Sequence, residues 1–435
     1  MTENAEPGSV PLWRGKPLKR LHVMVKPTGA LCNLDCSYCF YLSKERLLGK
    51  PPEWRMSEEV LETYIRQYFE AHNCKEVVFS WQGGEPTLVG LDFYRKVVEL
   101  QKKYCPPHVR FENDLQTNGT NLTEEWAEFL RENRFLVGLS VDGPKPMHDA
   151  YRVDKGGKGS FDRVYRAARL LQKHQVHMAT LTCVNRLTGR HPLAVYRFLR
   201  DDLGSKRIQF LPVVEPVSFR QTAPHFWNPD AMPVLGAPAA RPGSEGSIVE
   251  DWSVDPDDWG NFLCAVFDEW VRKDLGEVYV NYFEAMVEIW MGHVSPLCTH
   301  APVCGKALAI EQDGSLYACD RYVYPEYRLG KIGETSLEKM AFSTRQERFG
   351  RAKEATLPAY CQRCEYQFAC HGECPKNRFI KTPDGEPGLN YLCAGWKRYY
   401  KHIDGPLQAI VHRLGATVRK GAVAPAADHW VPEGK

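Results

Sequence analysis

No stretch of the 435 residues approaches the roughly 18 consecutive apolar residues that a membrane-spanning helix needs. Residues Met1–Leu18 carry charges and prolines but no apolar segment, so they do not read as a secretory signal. A dominant charge is also lacking. A formal net charge of +2 gives the chain no strong field for nucleic acid or for a membrane surface. No internal repeat is present. What remains is a soluble globular protein, 43% hydrophobic and 25% charged. It is too long for one core of common size, which predicts two domains or one large domain with an appended module. The expected location is cytoplasmic, where disulfides are rare. Fifteen cysteines then need another explanation, and metal comes first.

From Leu21 to about Val214, β-branched runs alternate with amphipathic helical stretches. Strands are predicted at Leu21–Lys26, Glu76–Ser80, Phe111–Gln116, Leu136–Val141, Val176–Val184 and Arg207–Val214. Ser57 and Thr123 are candidate helix caps, each followed by two glutamates that suit a helix N-terminus. Phe161–Lys173 and Pro192–Leu203 show helical periodicity. Repeated strand–helix units predict an α/β fold with parallel strands and right-handed crossovers, a partial or complete barrel whose chemistry sits at the C-terminal strand ends. Residues 215–255 break the rhythm and read as a long surface insertion, a candidate lid. Helical pattern returns across 256–296. From 297 to 400 the chain becomes cysteine-rich and loop-rich, with a small hairpin predicted over Ala307–Glu311 and Ser315–Cys319. The Ala/Pro-rich tail, 415–435, reads as disordered.

Directly after the first strand stands Cys32-Asn-Leu-Asp-Cys36-Ser-Tyr38-Cys39, a C-x3-C-x2-C spacing. Three thiols within one loop can wrap a metal cluster, and a 4Fe–4S cluster held by only three leaves one iron open for a substrate. Zinc with a fourth ligand elsewhere is the alternative. Eight further cysteines, Cys298, Cys304, Cys319, Cys361, Cys364, Cys370, Cys374 and Cys393, are the number needed for two closed four-thiolate sites. Spacing alone permits two structural zincs as readily as clusters. Cys74, Cys105, Cys183 and Cys264 read as ordinary packed thiols.

The first motif resembles that of the radical S-adenosylmethionine (SAM) superfamily, down to the aromatic Tyr38 before the last cysteine. The segment Gln82-Gly-Gly84-Glu-Pro86 after the second strand and Ser140-Val-Asp-Gly-Pro144 at the end of the fourth fit the same family. The resemblance implies a partial (β/α)6-type radical SAM barrel over 18–255. It places a 4Fe–4S cluster on Cys32, Cys36 and Cys39, and SAM against Tyr38, Gly84, Ser140, Arg152 and Val214. An electron from such a cluster releases a 5′-deoxyadenosyl radical that abstracts hydrogen.

The later cysteines resemble the SPASM auxiliary module of peptide-modifying radical enzymes. That likeness implies a small cysteine-rich domain over 297–400 with two auxiliary 4Fe–4S clusters. One would lie on Cys298, Cys304, Cys319 and Cys374, the other on Cys361, Cys364, Cys370 and Cys393.

Longer matches narrow the family. Trp81–Pro86, Leu115-Gln116-Thr117-Asn118-Gly119-Thr120, Phe135–Ser140 and Tyr317-x-Cys319-Asp320-Arg321-Tyr322-Val323 look like the anaerobic sulfatase-maturating enzymes. These oxidise a cysteine or serine of an unfolded or nascent sulfatase polypeptide to Cα-formylglycine. The resemblance makes Asp320 the catalytic base and implies a low-potential donor such as ferredoxin or flavodoxin. Gln82, Gln116 and Asn118 are candidate peptide contacts. A thioether- or carbon–carbon-crosslinking maturase would share every cluster. A cluster-bearing electron carrier or zinc-stabilised binding module is the non-enzymatic alternative.

Overall fold

The computed structural model describes residues 12–42, 44–49, 53–217 and 228–418. Its centre is one ten-stranded sheet. The strands in chain order are β1 (His22–Val25), β2 (Glu76–Trp81), β3 (Arg110–Thr117), β4 (Leu136–Ser140), β5 (His177–Val184), β6 (Arg207–Pro212), β7 (Tyr279–Val280), β8 (Ala307–Ile310), β9 (Ser315–Tyr317) and β10 (Arg328–Lys331). Strands β1 to β7 lie side by side in sequence order and all run parallel. The sheet does not close, because β7 and β10 are its two edges. This is the partial α/β barrel that the strand–helix rhythm predicts.

Local signals explain the elements. In β1, Val23 and Val25 are fully buried and alternate with more exposed residues. Helix α1 (Glu58–Glu70) starts where the Ser57 side chain accepts the Val60 N–H at 3.2 Å. Its Leu61, Tyr64, Ile65 and Tyr68 point inward, each contributing roughly 1.5–3 kcal/mol by leaving water. Helix α2 spans Leu91–Tyr104. Helix α3 (Glu124–Glu132) is capped in the same way by Thr123. Helix α4 (Phe161–Lys173) covers the next crossover. The periodicity over Pro192–Leu203 resolves into α5 (Pro192–Arg197) followed by a π-helical turn, Phe198–Asp202.

The predicted hairpin is present as β8 and β9, and it does not stand apart. Strand β8 runs parallel to β1, with Leu308 opposite Val23 and Ile310 opposite Val25. Strands β9 and β10 continue the sheet antiparallel. The cysteine-rich segment is also less loop-rich than its composition predicts. Helix α6 (Pro256–Lys273) and α7 (Asn281–Trp290) are followed by α8 (Thr344–Ala355) and by α9 (Cys393–Arg413), which opens on a cysteine. Helices α6 and α9 cross where Gly260 and Gly395 meet. A Cβ on Gly395 would stand 2.2 Å from the Pro256 carbonyl, so only glycine permits this approach.

Within 215–255 the described residues are anchored rather than simply laid on the surface. Pro216 bridges Val249, Val254 N–H donates to the Val213 carbonyl, and Ala240, Val249 and Val254 are buried. The remainder, 218–227, lies outside the described residues, as does the tail from 419 onward. Among the described residues, no helix is long and apolar enough to cross a membrane.

Candidate active site

The site builds from the C-terminal ends of the parallel strands. The cysteine loop follows β1. Behind it the Gly83–Glu85 segment, which follows β2, packs directly on the loop backbone. Gly84 N–H donates to the Gly29 carbonyl at 2.8 Å, and Glu85 N–H to the Leu31 carbonyl at 2.8 Å. A Cβ on Gly84 would stand 2.1 Å from Leu31 O. The glycine is therefore required by contact with the cysteine loop itself.

Glu85 then ties β2 to β3. Its buried carboxylate accepts from Thr87 N–H (3.0 Å), Thr87 Oγ1 (2.6 Å), Thr117 Oγ1 (2.7 Å) and Asn118 N–H (2.7 Å). Burial raises its pKa, and these donors oppose the shift. Asn118 in turn donates to Asn33 Oδ1 at 2.8 Å and toward Cys32 Sγ at 3.8 Å. Its own Oδ1 accepts from Thr120. Asn118 thus serves the cysteine loop. Gln116 Nε2 donates to Ser140 Oγ at 2.9 Å across β3 and β4, and the side-chain oxygen occupies the space left by Gly138.

A second group lies beside the loop. Arg152 Nε donates to Asp142 Oδ2 at 3.0 Å, with both side chains buried. Tyr38 Oη donates to the same carboxylate. Asp142 Oδ1 accepts Cys183 N–H at 3.0 Å. The Arg152 guanidinium also stands 5.5 Å from the Tyr38 ring centroid. Asp142 is a residue that sequence reasoning missed, although it sits inside a quoted motif. Val214 is buried in the apolar cluster beneath β6.

Asp320 follows β9 and Cys319. Its Oδ1 meets Lys26 Nζ at 2.5 Å, and the two side chains are 14% and 2% exposed. Lys26 was also missed. Its Nζ stands 4.5 Å from the Tyr41 ring centroid, and Tyr41 Oη donates to buried Glu311. Burial pushes the Glu311 carboxyl up to about 7, with Tyr41 and Lys26 opposing and Asp313 and Asp320 adding to the rise. Gln82 directly follows β2, and its N–H donates to the Val25 carbonyl at 2.8 Å.

All fifteen cysteines are unpaired. The electrostatic neighbourhoods of eleven of them fall into three sets, and Cys183 stands beside the first. Burial pushes the Cys32 thiol up to about 12, with Glu85 and Cys39 adding to it. Burial also raises Cys36, and Cys39 and Cys32 add to that rise. Cys304 is pushed by burial to about 12, with Cys374 and Cys298 adding, and Cys319 is raised by burial and then by Cys298, Cys374 and Cys304. Cys361 is pushed by burial to about 12, with Cys370 and Cys364 adding, while Cys393 answers to burial and then to Cys370, Cys361 and Cys364. A metal reverses this pressure by stabilising the thiolate.

Helix α8 holds the second set. Lys353 Nζ donates to the carbonyls of Cys298, Thr299 and Ala301 at 2.7, 2.8 and 2.5 Å. Gly350 admits the Cys304 carbonyl, and Gln346 ties Gly305 to Ala318. Among the described residues, no three His, Cys, Asp or Glu side chains close on a point that one ion could occupy. Three or four thiols per set are the donors that iron–sulfur clusters take.

The comparisons agree with this geometry. The radical SAM superfamily model matches residues 27–199, and the SPASM model, an iron–sulfur cluster-binding domain, matches 298–365. A serine-type anaerobic sulfatase-maturating enzyme of Bacteroides thetaiotaomicron is 45% identical over 88% of this chain and 90% of its own length. A cysteine-type counterpart from Clostridium novyi is 32% identical over 88% and 95%. The solved structure of native anSMEcpe with bound AdoMet and Cp18Cys peptide superposes with a TM-score of 0.76 at 32% identity, covering 91% of this chain and 99% of that one. The two domain types bring 4Fe–4S clusters and SAM as cofactors. The chain belongs to the anaerobic sulfatase-maturating enzymes of the radical SAM superfamily.

Proposed function

We propose that this chain oxidises a serine or cysteine of an unfolded or nascent sulfatase polypeptide to Cα-formylglycine, with Asp320 as the base. The observation that carries the reading is the Asp320 carboxylate, largely buried, immediately after Cys319 and aligned by Lys26 at the end of β1. The bound cofactors supply a 5′-deoxyadenosyl radical that takes hydrogen from the target Cβ, and a route for the remaining electron. Cys32, Cys36 and Cys39 hold the first cluster. Cys298, Cys304, Cys319 and Cys374 hold the nearer auxiliary cluster, and Cys361, Cys364, Cys370 and Cys393 the farther one.

Tyr38, Gly84, Ser140, Arg152 and Val214 form the SAM pocket, and Asp142 fixes Tyr38 and Arg152 within it. Asp320 accepts at Oδ the proton of the target hydroxyl or thiol. It stands on the same side of the target as Cys319, so proton and electron leave together. Gln82 contacts the peptide. Gln116 and Asn118, whose side chains hydrogen-bond Ser140 and Asn33, position the pocket around it. Serine is the first target to test, because the relative from Bacteroides thetaiotaomicron is serine-type. A low-potential carrier such as ferredoxin or flavodoxin supplies electrons, and the thiol-rich, cluster-bearing chain suits the reducing cytoplasm.

The test is an anaerobic assay of the reconstituted protein with SAM, a strong reductant and paired peptides bearing Ser-x-Pro-x-Arg or Cys-x-Pro-x-Arg, read by mass spectrometry. Aldehyde formation on either peptide with matching 5′-deoxyadenosine is expected. 5′-Deoxyadenosine without aldehyde on either would instead favour a crosslinking maturase.

A further inference from the structure

An open cavity of about 790 Å³ lies on the outer side of the cysteine loop. Its wall includes Leu31, Cys32, Trp54, Lys155, Lys158 and Arg163. Of the three loop cysteines, Cys32 alone lines it. The basic turn at 154–158 is joined to the loop by backbone. Leu34 bridges Asp154, Asp35 N–H donates to the Val153 carbonyl at 2.8 Å, and Ser37 N–H to the Tyr151 carbonyl at 3.1 Å. The charges on this turn are unequal. Asp154 is consumed locally, accepting from the N–H groups of Gly156 and Lys158 and pairing with Arg163, each at 3.0 Å. Lys155 and Lys158 are exposed and have no ion-pair partner among the described residues. Leu31 and Trp54 add exposed apolar surface, at 40% and 49%.

We propose that this face is the docking surface for an acidic one-electron carrier that reduces the cluster held by Cys32, Cys36 and Cys39. The inference rests on the assignment of that loop as a cluster loop. Electron transfer falls steeply with distance, so a carrier must seat beside the cysteine nearest the surface. Carrier encounters are small and weak, and complementary charge raises their on-rate more than their affinity. Lys155 and Lys158 supply that charge for a chain of near-zero net charge, and Trp54 and Leu31 supply the apolar contact. In the transfer, the anionic flavin hydroquinone of a flavodoxin loses one electron and becomes the neutral semiquinone, and the oxidised cluster gains that electron.

The test uses the reconstituted full chain, flavodoxin as the probe, and the double variant Lys155→Glu/Lys158→Glu. Two quantities are measured: flavodoxin binding by surface plasmon resonance, and 5′-deoxyadenosine formation driven by reduced flavodoxin or by dithionite. The variant is expected to weaken binding and slow the flavodoxin-driven rate by about tenfold at low ionic strength. The difference shrinks with salt, and the dithionite-driven rate is unchanged. Equal binding and equal flavodoxin-driven rates in variant and parent would overturn the docking surface. A parent that forms no 5′-deoxyadenosine with dithionite would overturn the cluster-loop assignment, and the docking surface with it.

Discussion

Lys26 Nζ and Asp320 Oδ1 stand 2.5 Å apart, joining the end of β1 to the turn that follows β9. Lys26 N–H donates to the Ile310 carbonyl at 2.9 Å, so the pair and the β1–β8 ladder share one seam. Through this seam the segment carrying the first cysteine set is fixed against the segment carrying Cys319.

Removing one partner of a buried ion pair leaves the other charge uncompensated and costs about 3–5 kcal/mol. Lys26→Met is expected to lower stability on that scale, read as the denaturant midpoint of the reconstituted protein under anaerobic conditions. A loss below about 1 kcal/mol, the range of exposed pairs, would mean the seam does not depend on this contact.

Gly84→Ala places a methyl 2.1 Å from the Leu31 carbonyl. Both atoms belong to backbone-anchored segments, so the cysteine loop must shift. The expected outcome is loss of the first cluster's iron with the auxiliary iron retained, measured by iron analysis and by the change that SAM causes in the reduced protein's paramagnetic resonance spectrum. A fully loaded first cluster with an unaltered SAM response would contradict this.

Glu311 predicts a pH dependence. Its folded-state pKa is about 7, raised by burial from 4.5. A raised pKa gives stability that is complete below the unfolded value and is lost as pH climbs through the folded one. The loss therefore falls between about pH 4.5 and pH 7 and amounts to roughly 3 kcal/mol. Glu311→Gln removes that titration, so across this window the variant should gain roughly 3 kcal/mol in stability relative to the parent. Parallel stability curves across this window would show that Glu311 does not carry the effect.

Much of this was readable from local pattern. Ser57 and Thr123 cap the helices they were expected to cap, and the hairpin at Ala307 forms. What escaped has non-local causes. The pairing of β8 with β1 leaves no trace in either strand's own sequence. Helix α8 escaped because its inward face, Gln346, Gly350 and Lys353, is polar and serves carbonyl groups. A search for apolar periodicity does not find such a face. Lys26 closes a predicted strand, and its partner Asp320 lies in a distant motif. Asp142 carries no local signal, because the groups it gathers, Tyr38, Arg152 and Cys183, come from three separate segments.

The central claim is that Asp320 receives the target's proton. Its most direct test compares the parent with Asp320→Asn, both fully loaded with iron, in one anaerobic assay that measures 5′-deoxyadenosine and peptide aldehyde together. Asparagine keeps the size of the side chain but is a poor proton acceptor, so 5′-deoxyadenosine should still form while aldehyde falls by about 10²–10⁴-fold. Undiminished aldehyde in the variant would contradict the claim and move the base elsewhere.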